Sequence, residues 1–270
     1  MKIGLSSWSY SWSVGVSADF MPINPMYAHD LLNKAVELGA QVLQIADNCP
    51  LDRLNIDDLN QLKSTADKKG IQLEVGTKGV NPEKLIPYMN IAKRLEAPLI
   101  RTLLHDSDGC PTIEQAGAYI LKLLPKLEEY NLTLALENHD FFKTEELAQL
   151  IRYINHPMVG ICLDPVNNLA QGESTAEVLK NLGQHTVNFH CKDYTISRKP
   201  SMLGFDVVGC ATGDGMLDVK RCYEYLPDKI SYIIELWTPW QGDLDKTIQL
   251  ENQWADKSLQ FLNQFKQNMG

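Results

Sequence analysis

The sequence has no C-x-x-C pair. Its six cysteines, Cys49, Cys110, Cys162, Cys191, Cys210 and Cys222, stand apart, which removes the spacing of a zinc ribbon or a redox dithiol. Cys162 and Cys191 lie inside apolar runs, so free buried thiols in a reducing compartment are expected. No apolar run approaches the roughly 20 residues needed to cross a bilayer. The opening MKIGLSSWSY lacks the apolar stretch of a signal peptide. A soluble, cytoplasmic chain with no membrane partner is therefore expected. Positive charge is in deficit: 25 Lys and Arg against 34 Asp and Glu leave a net charge of −9. Non-specific nucleic-acid binding works by neutralising phosphates, so this balance argues against such a partner. No glycine-rich phosphate loop follows the first strand, which runs instead into Ser6-Ser-Trp-Ser-Tyr-Ser-Trp-Ser13. That weighs against an open, doubly wound sheet. No linker or low-complexity stretch divides the chain.

What remains is regular alternation. Short apolar runs at Lys2–Ser7, Val42–Asp47, Gln72–Thr77, Leu99–Leu104, Thr133–Glu137, Gly160–Asp164, Val187–His190 and Ser231–Leu236 read as strands. Amphipathic patterns at Tyr27–Leu38, Asp57–Lys69, Pro82–Leu95, Thr112–Tyr130, Thr144–Ile154, Ser174–Leu182, Asp218–Tyr225 and Asp245–Gln264 read as helices. Asn81-Pro82, Thr144 and Ser174 are expected to start helices, and Gly39, Gly70 and Gly183 to end them in left-handed backbone. Eight strands alternating with eight helices over 270 residues predict one (β/α)8 TIM barrel spanning residues 1–270. Uninterrupted apolar runs suit a parallel sheet buried on both faces.

In such a barrel the chemistry sits at the C-terminal ends of the strands. Strands five to eight end at Glu137, Asp164, His190 and Glu235 in turn. Three carboxylates and an imidazole converging on one point repel each other unless a cation sits among them. Oxygen-rich ligation with one nitrogen suits Mn2+ or Mg2+ first, with Co2+, Fe2+ or Zn2+ also compatible.

These four residues come with Glu137-Asn138, Leu163-Asp164, His190-x-Lys192-Asp193 and Gly213-Asp-Gly-x-x-Asp218. Together they resemble the xylose-isomerase-like superfamily of TIM barrels, known also as the sugar phosphate isomerase/epimerase family, along essentially the whole chain. The resemblance implies a divalent metal held by Glu137, Asp164, His190 and Glu235. It also implies that Glu137 and Glu235 double as the acid/base pair, as in the epimerase branch. The superfamily includes sugar isomerases, ketose epimerases, dehydratases, sugar-acid decarboxylases and the endonuclease IV branch.

Basic residues gather near the same strand ends: Lys78, Arg101, His105, His139 and Lys192. Arg198 and Lys199 lie in a long segment from Asp193 to Leu217. Lys192 follows His190 by two residues and so faces the same way; it is a candidate catalytic group. His139, Arg101 and Arg198 are candidate substrate ligands, and the Asp193–Leu217 segment is expected to cover the pocket. Trp8, Tyr10 and Trp12 after strand one, and Trp237 and Trp240 after strand eight, are expected to wall the mouth. Trp8 and Trp237 are the candidate substrate contacts among them. Phe141 and Phe142 are further candidates for that wall.

The first functional expectation is an isomerase or epimerase of a small polyhydroxylated carbonyl compound, working through an enediolate. The second is a lyase on an oxidised sugar acid, either a dehydratase or a decarboxylase of a 3-oxo-isoapionate-type β-keto acid; the cationic cluster favours it. A DNA-repair enzyme of the endonuclease IV kind needs a larger His-rich ligand set than six histidines at these positions provide. A non-catalytic sugar-binding barrel would hold the metal without turning over any carbonyl substrate. Monomer and homo-oligomer both remain open.

Overall fold

The computed structural model describes residues 1–269. The apolar runs form strands β1 (Lys2–Ser6), β2 (Val42–Ile45), β3 (Gln72–Lys78), β4 (Leu99–Leu103), β5 (Thr133–Glu137), β6 (Val159–Leu163) and β7 (Thr186–Cys191). They are followed by β8 (Asp193–Arg198), β9 (Phe205–Cys210) and β10 (Ser231–Ile234). Eight of them close into a barrel in the order β1-β10-β7-β6-β5-β4-β3-β2. Every neighbouring pair is parallel, and β10 bonds to both β1 and β7 to seal the ring. This is the (β/α)8 barrel that the alternation predicts.

The helices are a short turn α1 (Ser11–Val14), then α2 (Ala28–Leu38), α3 (Ile56–Lys69), α4 (Pro82–Arg94) and α5 (Ile113–Tyr130). After these come α6 (Thr144–Ile154), α7 (Thr175–Leu182), α8 (Val219–Tyr225) and α9 (Leu244–Met269). Among the described residues no helix is long and apolar enough to cross a membrane. Thr112 and Ser174 each accept from the backbone N–H three residues on, satisfying orphan donors at the helix starts. Thr144 does not cap. It is already the first residue of α6, and its hydroxyl donates to Glu173 at 2.7 Å. Gly39 and Gly70 end their helices at φ 75° and 70°, as expected. Gly183 does not: its φ is −51°, because the chain tightens into a 3-10 turn before β7.

Among the described residues two apolar regions differ in kind. The main core lies between strands and helices and takes Ile3, Leu43, Val75, Ile100, Leu134, Ile161, Phe189 and Ile234 from the outward faces of the strands. The barrel's inside is mostly polar. Leu99, Ala135 and Cys162 form one small apolar cluster there, among buried Gln44, Glu74, Arg101, Asn188, His190 and Lys192. The strands are thus not apolar on both faces. Alternation along Val187-Asn188-Phe189-His190-Cys191-Lys192 sends one set of side chains to the helices and the other into the barrel.

The segment after β7 departs most from expectation. Residues predicted as a loop form an antiparallel hairpin, β8–β9, with Ile196 opposite Val207 and Arg198 opposite Phe205. The chain then returns to the barrel through a turn organised by Asp193. Its carboxylate accepts the N–H of Gly213 at 2.9 Å, Gly215 at 3.0 Å and Leu217 at 2.9 Å. A side chain at Gly215 would collide with that carboxylate. Asp218 then caps α8, its side chain accepting from Arg221 N at 3.0 Å.

Candidate metal centre and its cavity

β5 ends on Glu137, β6 is followed at once by Asp164, β7 carries His190 as its penultimate residue, and β10 is followed by Glu235. All four side chains turn inward at the same end of the barrel. Each offers one ligand atom, and these atoms lie within 4.8 Å of one another. The residues are 0–3% exposed. His190 Nδ1 and Glu235 Oε1 are buried with no hydrogen-bond partner, and Asp164 Oδ2 beside them meets the Lys192 ammonium. Buried polar atoms are normally satisfied; two orphans among these donors fit a cation. Charge agrees. Asp47, Glu137, Asp164 and Glu235 meet Arg101 and Lys192 at the base of the cavity, with Lys78 on Asp47. Four carboxylates against three cationic side chains leave negative charge for a cation to offset.

The cations hold these carboxylates ionised. Burial pushes Glu137 up, but Arg101, His190 and Lys192 outweigh it and keep its carboxyl well below the usual range. Burial likewise works against Glu235, which His190 and Lys192 bring down to about 2. Lys192 is held above its ordinary value: burial opposes its charge, and Asp164, Glu235 and Glu137 more than compensate. Its Nζ lies 2.6 Å from Asp164 Oδ2, 3.1 Å from Glu235 Oε2 and 5.0 Å from the centre of the Trp237 ring.

Two of the four donors, Glu137 and Glu235, form part of the floor of a cavity of about 580 Å³ at the barrel mouth, which opens between Trp8, Trp12, Val16, Trp237 and Thr238. Arg101, His105, His139 and Lys192 line it as well. Arg101 points into the barrel. Its Nε donates to Glu137 and its Nη1 to Asp47 Oδ1 at 2.8 Å. His139 and His105 pack with ring centres 5.5 Å apart, and Phe141 stacks on His105 at 4.4 Å. Trp12, Phe20 and Trp240 form an aromatic cluster at the rim, with ring centres 4.9–5.6 Å apart. Tyr10 is no part of the wall: it is buried in the core between barrel and helices. Phe142 likewise packs against that core.

Arg198 is elsewhere. It stands at the tip of the β8–β9 hairpin, stacked at 4.4 Å on Phe205 and donating to the carbonyl of Met202 at 3.3 Å. The expected contact with substrate is therefore withdrawn. A hairpin registered strand to strand carries its tip away from the pocket, where a loose loop would have folded over it. The hairpin reaches the cavity only through its base. Gly209 lies against Trp237 so closely that a Cβ there would overlap its carbonyl.

Asp47 and Asn167 escaped the sequence reading, and Asn138 entered it only within a motif, with no role assigned. Asp47, just after β2, ties Arg101, Lys78 and Trp8 together: Lys78 Nζ lies 2.8 Å from Oδ2, and Trp8 Nε1 donates to Oδ1 at 3.3 Å. Asn167 donates to Glu137 Oε1 at 2.9 Å and receives Lys192 at 3.3 Å. Asn138 clamps the end of β6, accepting from Asp164 N at 2.8 Å and donating to Asp164 O at 2.6 Å. Position at a strand end was the available signal for Asp47. Asn167 sits in a 3-10 turn with no periodic signature.

A closed parallel barrel with a carboxylate-rich donor set at its C-terminal mouth defines a class of TIM-barrel enzyme. Residues 32–265 match the xylose isomerase-like TIM barrel family, and this chain belongs to it. It is 35% identical over 265 residues to the 3-oxo-isoapionate decarboxylase of Pectobacterium atrosepticum, covering 97% of this chain and 95% of that one. Its fold is similar to D-psicose 3-epimerase from Clostridium cellulolyticum H10 with a TM-score of 0.70 at 18% identity, over 97% and 98% of the two chains. It is similar also to a xylose isomerase-like TIM barrel protein from Mycobacterium smegmatis in complex with magnesium, with a TM-score of 0.66 at 14% identity over 96% and 97%.

Proposed function

We propose that this chain is a divalent-metal-dependent lyase that removes CO2 from a small β-keto acid of sugar origin. The placement of Lys192 carries this reading. Its ammonium is buried beside Asp164 and Glu235 and lines the cavity. Loss of CO2 needs no base to take a proton from carbon, only a sink for an electron pair and a proton donor, and Lys192 is placed to be that donor. A relative that matches nearly the whole chain is named for such a reaction, which supports the lyase reading over the isomerase expectation.

A divalent ion held by Glu137, Asp164, His190 and Glu235 would polarise the substrate's keto group and offset charge developing on its oxygen. Arg101 and Asn167 hold Glu137 in place as an anion. As the bond to the carboxylate breaks, its electron pair moves toward the keto carbonyl and CO2 departs, leaving an enolate. Lys192 gives its ammonium proton to the enolate carbon and regains one from water. Trp8 and Trp237 wall the carbon skeleton, and His105 and His139 offer hydrogen bonds to its hydroxyl or acid groups.

One observation favours the epimerase reading. Glu137 and Glu235 both approach His190 Nδ1, at 3.6 and 3.4 Å, as a pair of carboxylates about one centre. A single comparison separates the two. Metal-loaded protein is given 3-oxo-isoapionate with CO2 release recorded, and ketoses in D2O with deuterium traced by NMR. CO2 release is expected, with Lys192→Met slowing it about 10²-fold or more, the usual worth of a positioned proton donor. Deuterium beside a ketose carbonyl without CO2 release from the keto acid would select the epimerase.

A further inference from the structure

Beneath the candidate metal ligands lies a second buried polar layer that the mechanism above does not use. Gln44, Glu74 and Asn188 are 0–1% exposed. Polar groups in a barrel interior are costly unless fully paired, and the pairing here has a direction. Glu74 Oε2 accepts from two amides, Gln44 Nε2 at 3.1 Å and Asn188 Nδ2 at 3.0 Å. Its Oε1 accepts the Ser231 hydroxyl at 2.5 Å. A carboxylate oxygen that only accepts obliges both amides to turn their NH2 groups toward it. Asn188 Oδ1 is then left to accept the second N–H of Gln44 at 3.1 Å and the Cys162 thiol at 3.1 Å. With both its N–H groups spent, Gln44 has only its carbonyl oxygen to offer His190, whose Nε2 lies 2.8 Å away. Nε2 must therefore carry hydrogen. The other nitrogen, Nδ1, faces Glu137 and Glu235 and has no hydrogen-bond partner.

We infer that Glu74 is a positioning residue which, acting through Gln44, fixes the nitrogen that His190 presents to the metal. The inference rests on the metal reading of His190 and extends it to the layer beneath. Orientation is transmitted, not charge: without an acceptor at position 74 the Gln44 amide is free to turn over. It would then offer N–H to Nε2 and place the imidazole hydrogen on Nδ1, in the ligand position.

The test is calorimetric titration of the metal-free full chain with Mn2+ alone. Wild-type protein is compared with Gln44→Met, Glu74→Met and Glu74→Gln. Gln44→Met and Glu74→Met should weaken Mn2+ binding by about 10–100-fold, the usual effect of removing a partner that orients a metal-binding histidine. Glu74→Gln should stay within about threefold, because its amide oxygen can replace Oε2 and its NH2 can face the Ser231 hydroxyl. That rescue distinguishes orientation from general support of the barrel. If Glu74→Met does not fold, Gln44→Met and Glu74→Gln still decide the matter. Wild-type affinity in Gln44→Met, or a Glu74→Gln variant as weak as Gln44→Met, would overturn the inference. A wild-type chain that takes up no divalent ion would instead defeat the metal reading on which it rests.

Discussion

Glu251 shows how a single buried carboxyl ties the rim of the cavity to the far end of the chain. It lies on α9, 1% exposed, and accepts from Trp12 N at 2.8 Å, Ser13 N at 3.0 Å and the Ser13 hydroxyl at 2.7 Å. These are the donors that open α1, and α1 carries the Trp12 ring of the aromatic cluster. Burial pushes the Glu251 carboxyl up to about 7 against the pull of those donors. An unfolded glutamate titrates near 4.3, so the folded chain holds this proton more tightly. Its stabilising contribution is full below the unfolded value and is lost as the pH rises through about 7. Glu251→Gln should remove that slope. Relative to wild type, the variant should gain stability from pH ~5 to pH ~8, by roughly 2–4 kcal/mol. Melting temperatures of both proteins across that range measure it, and parallel profiles would show that Glu251 does not titrate there.

At the scale of elements, the β8–β9 hairpin acts at its base and not at its tip. Arg198 is exposed and occupied with Phe205 and Met202, so Arg198→Ala should leave the specificity constant within about twofold, as surface changes away from a site do. Gly209 is different, since any side chain there presses on Trp237 beside Lys192. Gly209→Ala should cost about 1–3 kcal/mol by overpacking and lower turnover by displacing the ring. Steady-state kinetics and denaturant melts of the two variants test the pair. A damaging Arg198→Ala alongside a silent Gly209→Ala would mean that the hairpin closes over the cavity in solution. The elements themselves were legible because they were long and periodic. α5 was expected at Thr112–Tyr130 and spans Ile113–Tyr130, with Thr112 as its cap. The hairpin was not, since Ser197–Gly204, with Lys199, Pro200 and Gly204 between short apolar stretches, carries no strand period. Its strands exist because they pair with each other.

Over the whole molecule, buried charge sets the conditions for stability. Four carboxylates at the base of the cavity face Arg101, Lys192 and, at Asp47, Lys78, and packing them together without a further counter-ion costs folding free energy. Added Mn2+ or Mg2+ should therefore raise the melting temperature. At about 100 times the dissociation constant the gain is about 2.7 kcal/mol, which for a chain of this size is roughly 5–10 °C. Asp164→Asn should abolish most of the shift, and EDTA should reverse it in the wild type. If none of Mn2+, Mg2+, Co2+, Fe2+ or Zn2+ moves the transition, the donor set does not bind a metal.

The barrel was determined along the chain, because alternating periods of two and 3.6 with caps between them leave few other ways to bury eight apolar runs. The four candidate ligands were equally local: a barrel's C-terminal strand ends share one mouth, so Glu137, Asp164, His190 and Glu235 could be assigned to it one strand at a time. What each polar side chain meets was decided only in three dimensions. Arg101 pairs with Glu137 on the next strand and with Asp47, 54 residues away. Gln44 reaches His190 across 146 residues of sequence. Those partners depend on the tilt and register with which the sheet closes, and short apolar runs hold no record of either.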